Sequence, residues 1–342
     1  MPKIDRFALA ALMMVALLLL LAAMVPMQNG PTSPPDIAPL AAKDDFDYEV
    51  FRDGEVVHAR NRASGTVVFS SSDDGQVIQW TLNALPEGGL VLVREGEYRL
   101  AREVDVPSDV HLAGEGPATV FWGEGLFSFI VVERTNVTLS GFTLRGSGPL
   151  LVAGYDRPAS NILVQDVVAT LDSSHEGAFY TLAINTVVSN VSYVRCAALD
   201  CGTSGFINNG NYKNGWIEDI SFIECRAVGC GVESRYNDWV VGFDLAERVN
   251  VRNMLVLNCE ASDNWQSGFH FEPPAIVENA ELRDCVAIDN GRAEGSPGGE
   301  GYGWGYLLYD RDWHDIRLIN CHAEGNWRGD TDLGPLTSEL IV

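Results

Sequence analysis

The sequence predicts an all-β protein: a right-handed parallel β-helix with a short N-terminal capping helix, preceded by one transmembrane helix. The solenoid rests on a twelve-residue template that recurs seven times, and on the placement of all seven cysteines within that template. The membrane segment rests on an uninterrupted run of nineteen apolar residues near the N-terminus.

The template begins with Asn or Asp and ends with a small or polar residue. Its copies start at Asn136, Asn161, Asn190, Asp219, Asn253, Asn279 and Asp315. All keep the second, fourth, seventh and ninth positions apolar. That pattern alternates as a strand does, breaks phase once and resumes, so it describes a strand, a corner and a second strand instead of a helix. Successive copies begin 25, 29, 29, 34, 26 and 36 residues apart. A constant core with variable spacing is what a stack of coils gives when its loops differ in length.

Cys196, Cys225, Cys259, Cys285 and Cys321 fall at position seven, and Cys201 and Cys230 at position twelve. Stacking places like residues over one another, so a column of buried thiols is expected. A Cys201 to Cys230 disulfide remains an alternative, while the absence of any Cys-x-x-Cys spacing argues against a metal site. Asn264, Asn290 and Asn326 continue the twelfth column and read as left-handed corner residues able to bridge amides between turns. Sequons at Asn136 and Asn190 open template strands, which packing explains.

Five segments follow from these patterns: 1–25 a membrane anchor or signal, 26–43 a stalk, 44–100 N-terminal strands and capping helix, 101–330 the β-helix, and 331–342 a tail. Residues 7–25 follow Lys3 and Arg6 and run into Pro26 without a small-x-small cleavage site, which favours a retained anchor over a cleaved signal. Either way the remainder is expected outside the cytoplasm, as the extracellular C-terminal part of a single-pass protein or as a secreted one. Five prolines in residues 26–43 disfavour helix and suit a spacer.

A formal net charge of −24 excludes nucleic acid as a natural partner. It also repels acidic polysaccharides unless a basic patch or bridging cations such as calcium intervene, whereas neutral glycans meet no such barrier.

Residues 76–100, QVIQWTLNALPEGGLVLVREGEYRL, place Val77, Ile78, Leu82 and Leu85 on one helix face. Gly88 and Gly89 follow as a turn, then Gly96 and Tyr98 as a Gly-x-Tyr. This opening resembles the pectate-lyase-like (pectin lyase fold) superfamily, and the likeness extends over about residues 46–330. It implies that the helix is a lid on the solenoid's open end. The family's catalytic signatures are largely missing: there is no Gly-His-Gly, no Arg-Ile-Lys and no Asp-Pro-His-Glu. The membrane-tethered pattern also resembles archaeal surface β-helix proteins.

Four segments, starting at Ser204, Val241, Ser267 and Trp304, form a second strand column. If Phe206, Phe243, Phe269 and Tyr306 point inward, then Ile207, Asp244, His270 and Leu307 point outward in one row. Asp244 then neighbours His270 and can orient it as a general base, with Glu272 as acid or cation ligand. Solvated surface charge is the alternative reading. Tyr212, Trp239, Trp265, Trp304, Tyr309 and Arg311 cluster by the same loops and suit stacking on sugar rings and contact with a carbohydrate. The glycine-rich residues 292–305 lack a Gly-Lys-Ser/Thr ending, so no phosphate loop is expected. Asp310, Asp312 and Asp315 are spaced like calcium ligands, and calcium is the one cofactor the sequence admits. These features together lead to a tethered β-helix that binds polysaccharide of the cell envelope or environment, or acts on it as a lyase, hydrolase or epimerase. The alternative is a noncatalytic surface or adhesion module.

Overall fold

The computed structural model describes residues 45–172, 177–211, 214–232, 240–272, 275–291, 303–308 and 314–332. Among these, no helix is long and apolar enough to cross a membrane. The apolar run at 7–25 and the stalk at 26–43 lie outside the described residues.

The chain opens with an antiparallel meander, Tyr48–Asp53, Val56–Asn61 and Val67–Ser71. The expected capping helix follows over Asp74–Asn83. Asp73 caps it by accepting a hydrogen bond from the Gln76 amide at 3.0 Å. Val77, Ile78 and Leu82 are fully buried, which closes the end of the core as anticipated. Gly88 lies at φ +85°, where a Cβ would sit 2.3 Å from the Asp109 carbonyl oxygen, so only glycine fits the turn.

From Gly89 onward the strands pair in parallel, each with the coil before and the coil after. Val191 pairs with Ile220, Met254 with Ala280, and Ala280 with Ile316, so the second template column stacks vertically. Each coil contributes a longer strand, a short strand beyond a bend, and a third strand after the variable loop. Among the described residues the opening meander and the first two faces join in one nineteen-stranded sheet, because Thr135–Gly146 and Ala159–Leu171 run continuously around the bend. The third face is a separate nine-stranded sheet.

The chain turns more often than the single phase break the pattern suggested. Left-handed residues recur at template positions one, six and eleven, as at Asn253 (φ 55°), Asn258 (φ 53°) and Asp263 (φ 56°). Each reverses the alternation and points the next residue inward. The corner assignment of Asn264, Asn290 and Asn326 therefore shifts by one residue: Asp263, Asp289 and Gly325 take the left-handed backbone. The asparagines face the interior and form the anticipated amide ladder. The Asn264 Nδ2 donates to Asn290 Oδ1 at 2.8 Å, and the Asn290 Nδ2 to Asn326 Oδ1 at 2.9 Å. A second ladder of exposed amides runs along position one, where Asn161 Nδ2 donates to Asn136 Oδ1 and Asn190 Nδ2 to Asn161 Oδ1.

All seven cysteines are free, including Cys201 and Cys230. The position-seven thiols donate to carbonyls one coil back, Cys225 Sγ to Tyr193 O at 3.3 Å and Cys285 Sγ to Val256 O at 3.4 Å. Burial raises the pKa of Cys196, Cys225 and Cys259 well above the ordinary thiol value, so these groups act as apolar filler.

Candidate functional site

The nine-stranded sheet positions the candidate site. On its inner side Phe179, Phe206, Phe243, Phe269 and Tyr306 stack face to face, with centroid separations of 4.7, 4.6, 4.9 and 5.1 Å. The glycine before each of the last four aromatics makes this possible. A Cβ on Gly242 or Gly268 would lie within 3.0 Å of the next coil's glycine carbonyl and of the asparagine ladder.

Alternation then sends the following residue outward, in the register read from the sequence. Ile207 pairs with Asp244, Asp244 with His270, and His270 with Leu307. The same outer row extends upstream through Tyr180, Leu151 and Ile130 to Asp105. Its upstream half is apolar, with Leu151, Ala153 and Leu182 forming a small cluster with Ile130 and Tyr180.

Asp244 and His270 are not the solvated surface charges of the alternative reading, since they are only 5% and 4% exposed. Desolvation lowers the His270 pKa to about 4, so the imidazole is neutral at pH 7. Glu272 lies just past the strand Phe269–Phe271 and is held by its amide, which donates to Ala246 O at 2.9 Å. Burial raises the pKa of its half-buried carboxyl, and Arg248 partly opposes the shift.

Glu247 is the site residue that sequence reasoning missed. Strict alternation from Asp244 would turn Glu247 inward. A bulge intervenes: Asp244 pairs with His270, yet Ala246 pairs with Phe271, so the strand Phe243–Glu247 carries one extra residue. The opposite neighbour is likewise out of step between Ile207 and Asn209. Inside the solenoid, Asn208 Nδ2 donates to Leu245 O at 3.0 Å and steadies the bulge. As a result, carboxylate oxygens of Asp244, Glu247 and Glu272 lie within 4.8 Å of one another. Glu247 is oriented by Asn209 Nδ2 at 2.8 Å and Arg248 Nε at 3.3 Å.

The aromatic candidates separate into two groups. Trp265 packs against the core, and the Trp304 ring covers Gly329, where a Cβ would meet it at 2.7 Å. Both are half-buried and shield backbone. Tyr212, Trp239, Tyr309 and Arg311 lie outside the described residues, as do Asp310 and Asp312, so the calcium spacing read there has no structural counterpart among the described residues. The carboxylate set at Asp244, Glu247 and Glu272 is a different group of oxygens.

No protein-family model matches this sequence, and no curated protein matches it. Among solved structures, an iota-carrageenase complexed to iota-carrageenan fragments aligns at TM-score 0.50 and 11% identity, over 80% of this chain and 91% of that one. ORF18 of Geobacillus virus E2 aligns at TM-score 0.47 and 12% identity, over 83% of this chain and 66% of that one. A pectate lyase aligns at TM-score 0.37 and 14% identity, over 74% of this chain and 72% of that one. At 11% identity the likeness to the iota-carrageenase is one of fold alone, and the archaeal resemblance is left without support.

Proposed function

From a chain with the pectin-lyase-like β-helix fold, we propose a tethered extracytoplasmic protein that binds polysaccharide of the cell envelope or environment along the outer face of its nine-stranded sheet. The observation that carries the reading is the group Asp244, Glu247, His270 and Glu272, gathered by a bulge onto one outer face. Fold alone does not bring an activity with it, so the argument rests on these side chains.

Their chemistry suits acid–base work on a sugar. His270 stays neutral above about pH 4 and can accept a proton. Glu272, raised by burial, keeps its proton to higher pH than an ordinary carboxyl and can donate one. Asp244 neighbours His270 in the row, one coil away.

The all-oxygen set of three carboxylates also fits a hard cation such as calcium. When bound, that ion would supply positive charge toward a sugar carboxylate that a chain of net charge −24 otherwise repels.

A noncatalytic surface or adhesion module is the second reading. The near-complete burial of Asp244 and His270 favours it, because a base must reach its substrate.

A glycan array probed with the full-length chain, followed by product analysis on each hit, separates the two. Turnover that falls in His270→Ala and Asp244→Asn supports the catalytic reading. Binding without products supports the module. No glycan bound at all, or turnover untouched by both substitutions, rejects this site.

A further inference from the structure

The capping helix carries a feature that its role as a lid does not require. A cleft of about 350 Å³ lies between its outward face and the loop after Leu100, lined by Asp73, Gln76, Gln79, Trp80, Asn83, Arg102 and Glu103. That volume falls at the lower end of small-molecule sites.

Two carboxamides in the cleft are oriented through their oxygens. Ser71 Oγ donates to Gln76 Oε1 at 2.8 Å, and Gln79 Nε2 donates to Asn83 Oδ1 at 3.2 Å. Their amino groups have no partner among the described residues and remain available as donors. Gln79 is itself pinned at both ends: its Nε2 donates to Asp105 O at 2.9 Å, and its Oε1 accepts from the Asp105 amide at 2.8 Å. Trp80 is rigid as well, stacked on Phe69 at 5.0 Å and held edge-on by Tyr48 at 6.2 Å. Arg102 meets Asp73 only at 3.8 Å, and both are substantially exposed, so the guanidinium is hardly committed.

The cleft thus offers fixed amide donors, a guanidinium, two carboxylate acceptors and part of an indole. Asp73 and Glu103 repel an anion, and Arg102 repels a cation. An uncharged polyol with an apolar ring face satisfies all of these groups together.

We propose that this cleft is a second saccharide-binding subsite, specific for an uncharged sugar unit and separate from the Asp244 cluster. Five strand steps divide Asp105, beside the cleft, from Asp244, which is about 24 Å along the axis at the usual strand spacing. The subsite therefore does not rest on the catalytic reading.

The test is calorimetric titration of the full-length chain with cellohexaose, mannohexaose and xylohexaose, with trigalacturonate as the acidic control. At least one neutral hexaose should bind saturably. Asn83→Ala and Arg102→Ala, both exposed and outside the core, should each weaken that binding about tenfold, the worth of one or two hydrogen bonds. Trp80→Phe should weaken it in the same direction, while Ile276→Ala, an exposed side chain on a later coil and outside the cleft, should leave it unchanged. Three results would each overturn the proposal: saturable binding by no neutral hexaose, preference for trigalacturonate, or a neutral affinity indifferent to Asn83→Ala and Arg102→Ala.

Discussion

Lowering the pH from 7 to 4 should destabilise this protein in part through His270. Burial takes the His270 pKa from 6.5 unfolded to about 4 folded. Between those values the unfolded chain holds a proton on this residue that the folded chain does not, so stability falls as pH falls through the window. The contribution is fully present above about pH 6.5 and nearly lost at pH 4. A shift of about two and a half units corresponds to about 3 kcal/mol, a large part of the 5–15 kcal/mol typical of a domain. Carboxylates and His111, whose pKa burial also lowers to about 4, add their own pH dependence, so the informative quantity is a difference. Urea denaturation of the wild-type chain and of His270→Gln at pH 7, 5.5 and 4 supplies it. The wild type should lose about 3 kcal/mol more than the variant over that range, with unchanged m-values. Parallel pH profiles would show that His270 is hydrated or protonated in the folded state, and the argument for a neutral base would fail.

Three further outcomes follow from the same structure. Asn290→Ala removes amide bonds to Ala261 and Asn326 and leaves the Asn264 amide without its acceptor; it should cost about 2–4 kcal/mol by thermal or chemical melting, and a loss near zero would remove the ladder from the stability account. Native protein treated with a thiol reagent should show at most one reactive group, the half-exposed Cys321, and all seven after denaturation without reductant, whereas five in denaturant would reveal one disulfide. Calcium should raise the melting temperature of the wild type and not of Glu247→Gln with Glu272→Gln; an equal rise in both would place the cation elsewhere.

The fold was legible because a solenoid writes its architecture as repetition. Cysteine at position seven and asparagine at position twelve recur with the coil, and the apolar columns at Val191, Ile220 and Ile316 mark the interior. The Asp244 and His270 neighbours were legible for a related reason, since aligning Phe243 with Phe269 fixes the register and alternation does the rest. Glu247 was not, because a bulge adds a residue without any glycine or proline to announce it, and parity alone sends that side chain the wrong way. The left-handed corners at positions one, six and eleven were hidden because they accept many residue types: Arg195, Glu224 and Asn258 all occupy position six. Trp265 and Trp304 suggested a sugar platform by composition, but the nearby bare backbone of Gly231 and Gly329 gives them a packing role that only coordinates reveal.

Everything proposed for the site depends on Asp244 and His270 standing one coil apart in the same outer row. A cysteine pair tests that directly, because parallel neighbours lie about 5 Å apart, within disulfide reach, and residues two coils apart do not. Mild oxidation of Asp244→Cys with His270→Cys should give an intramolecular disulfide that mass spectrometry assigns between those positions, while Asp244→Cys with Leu307→Cys should give none. Cross-linking of the second pair and not the first would contradict the register and the site built upon it.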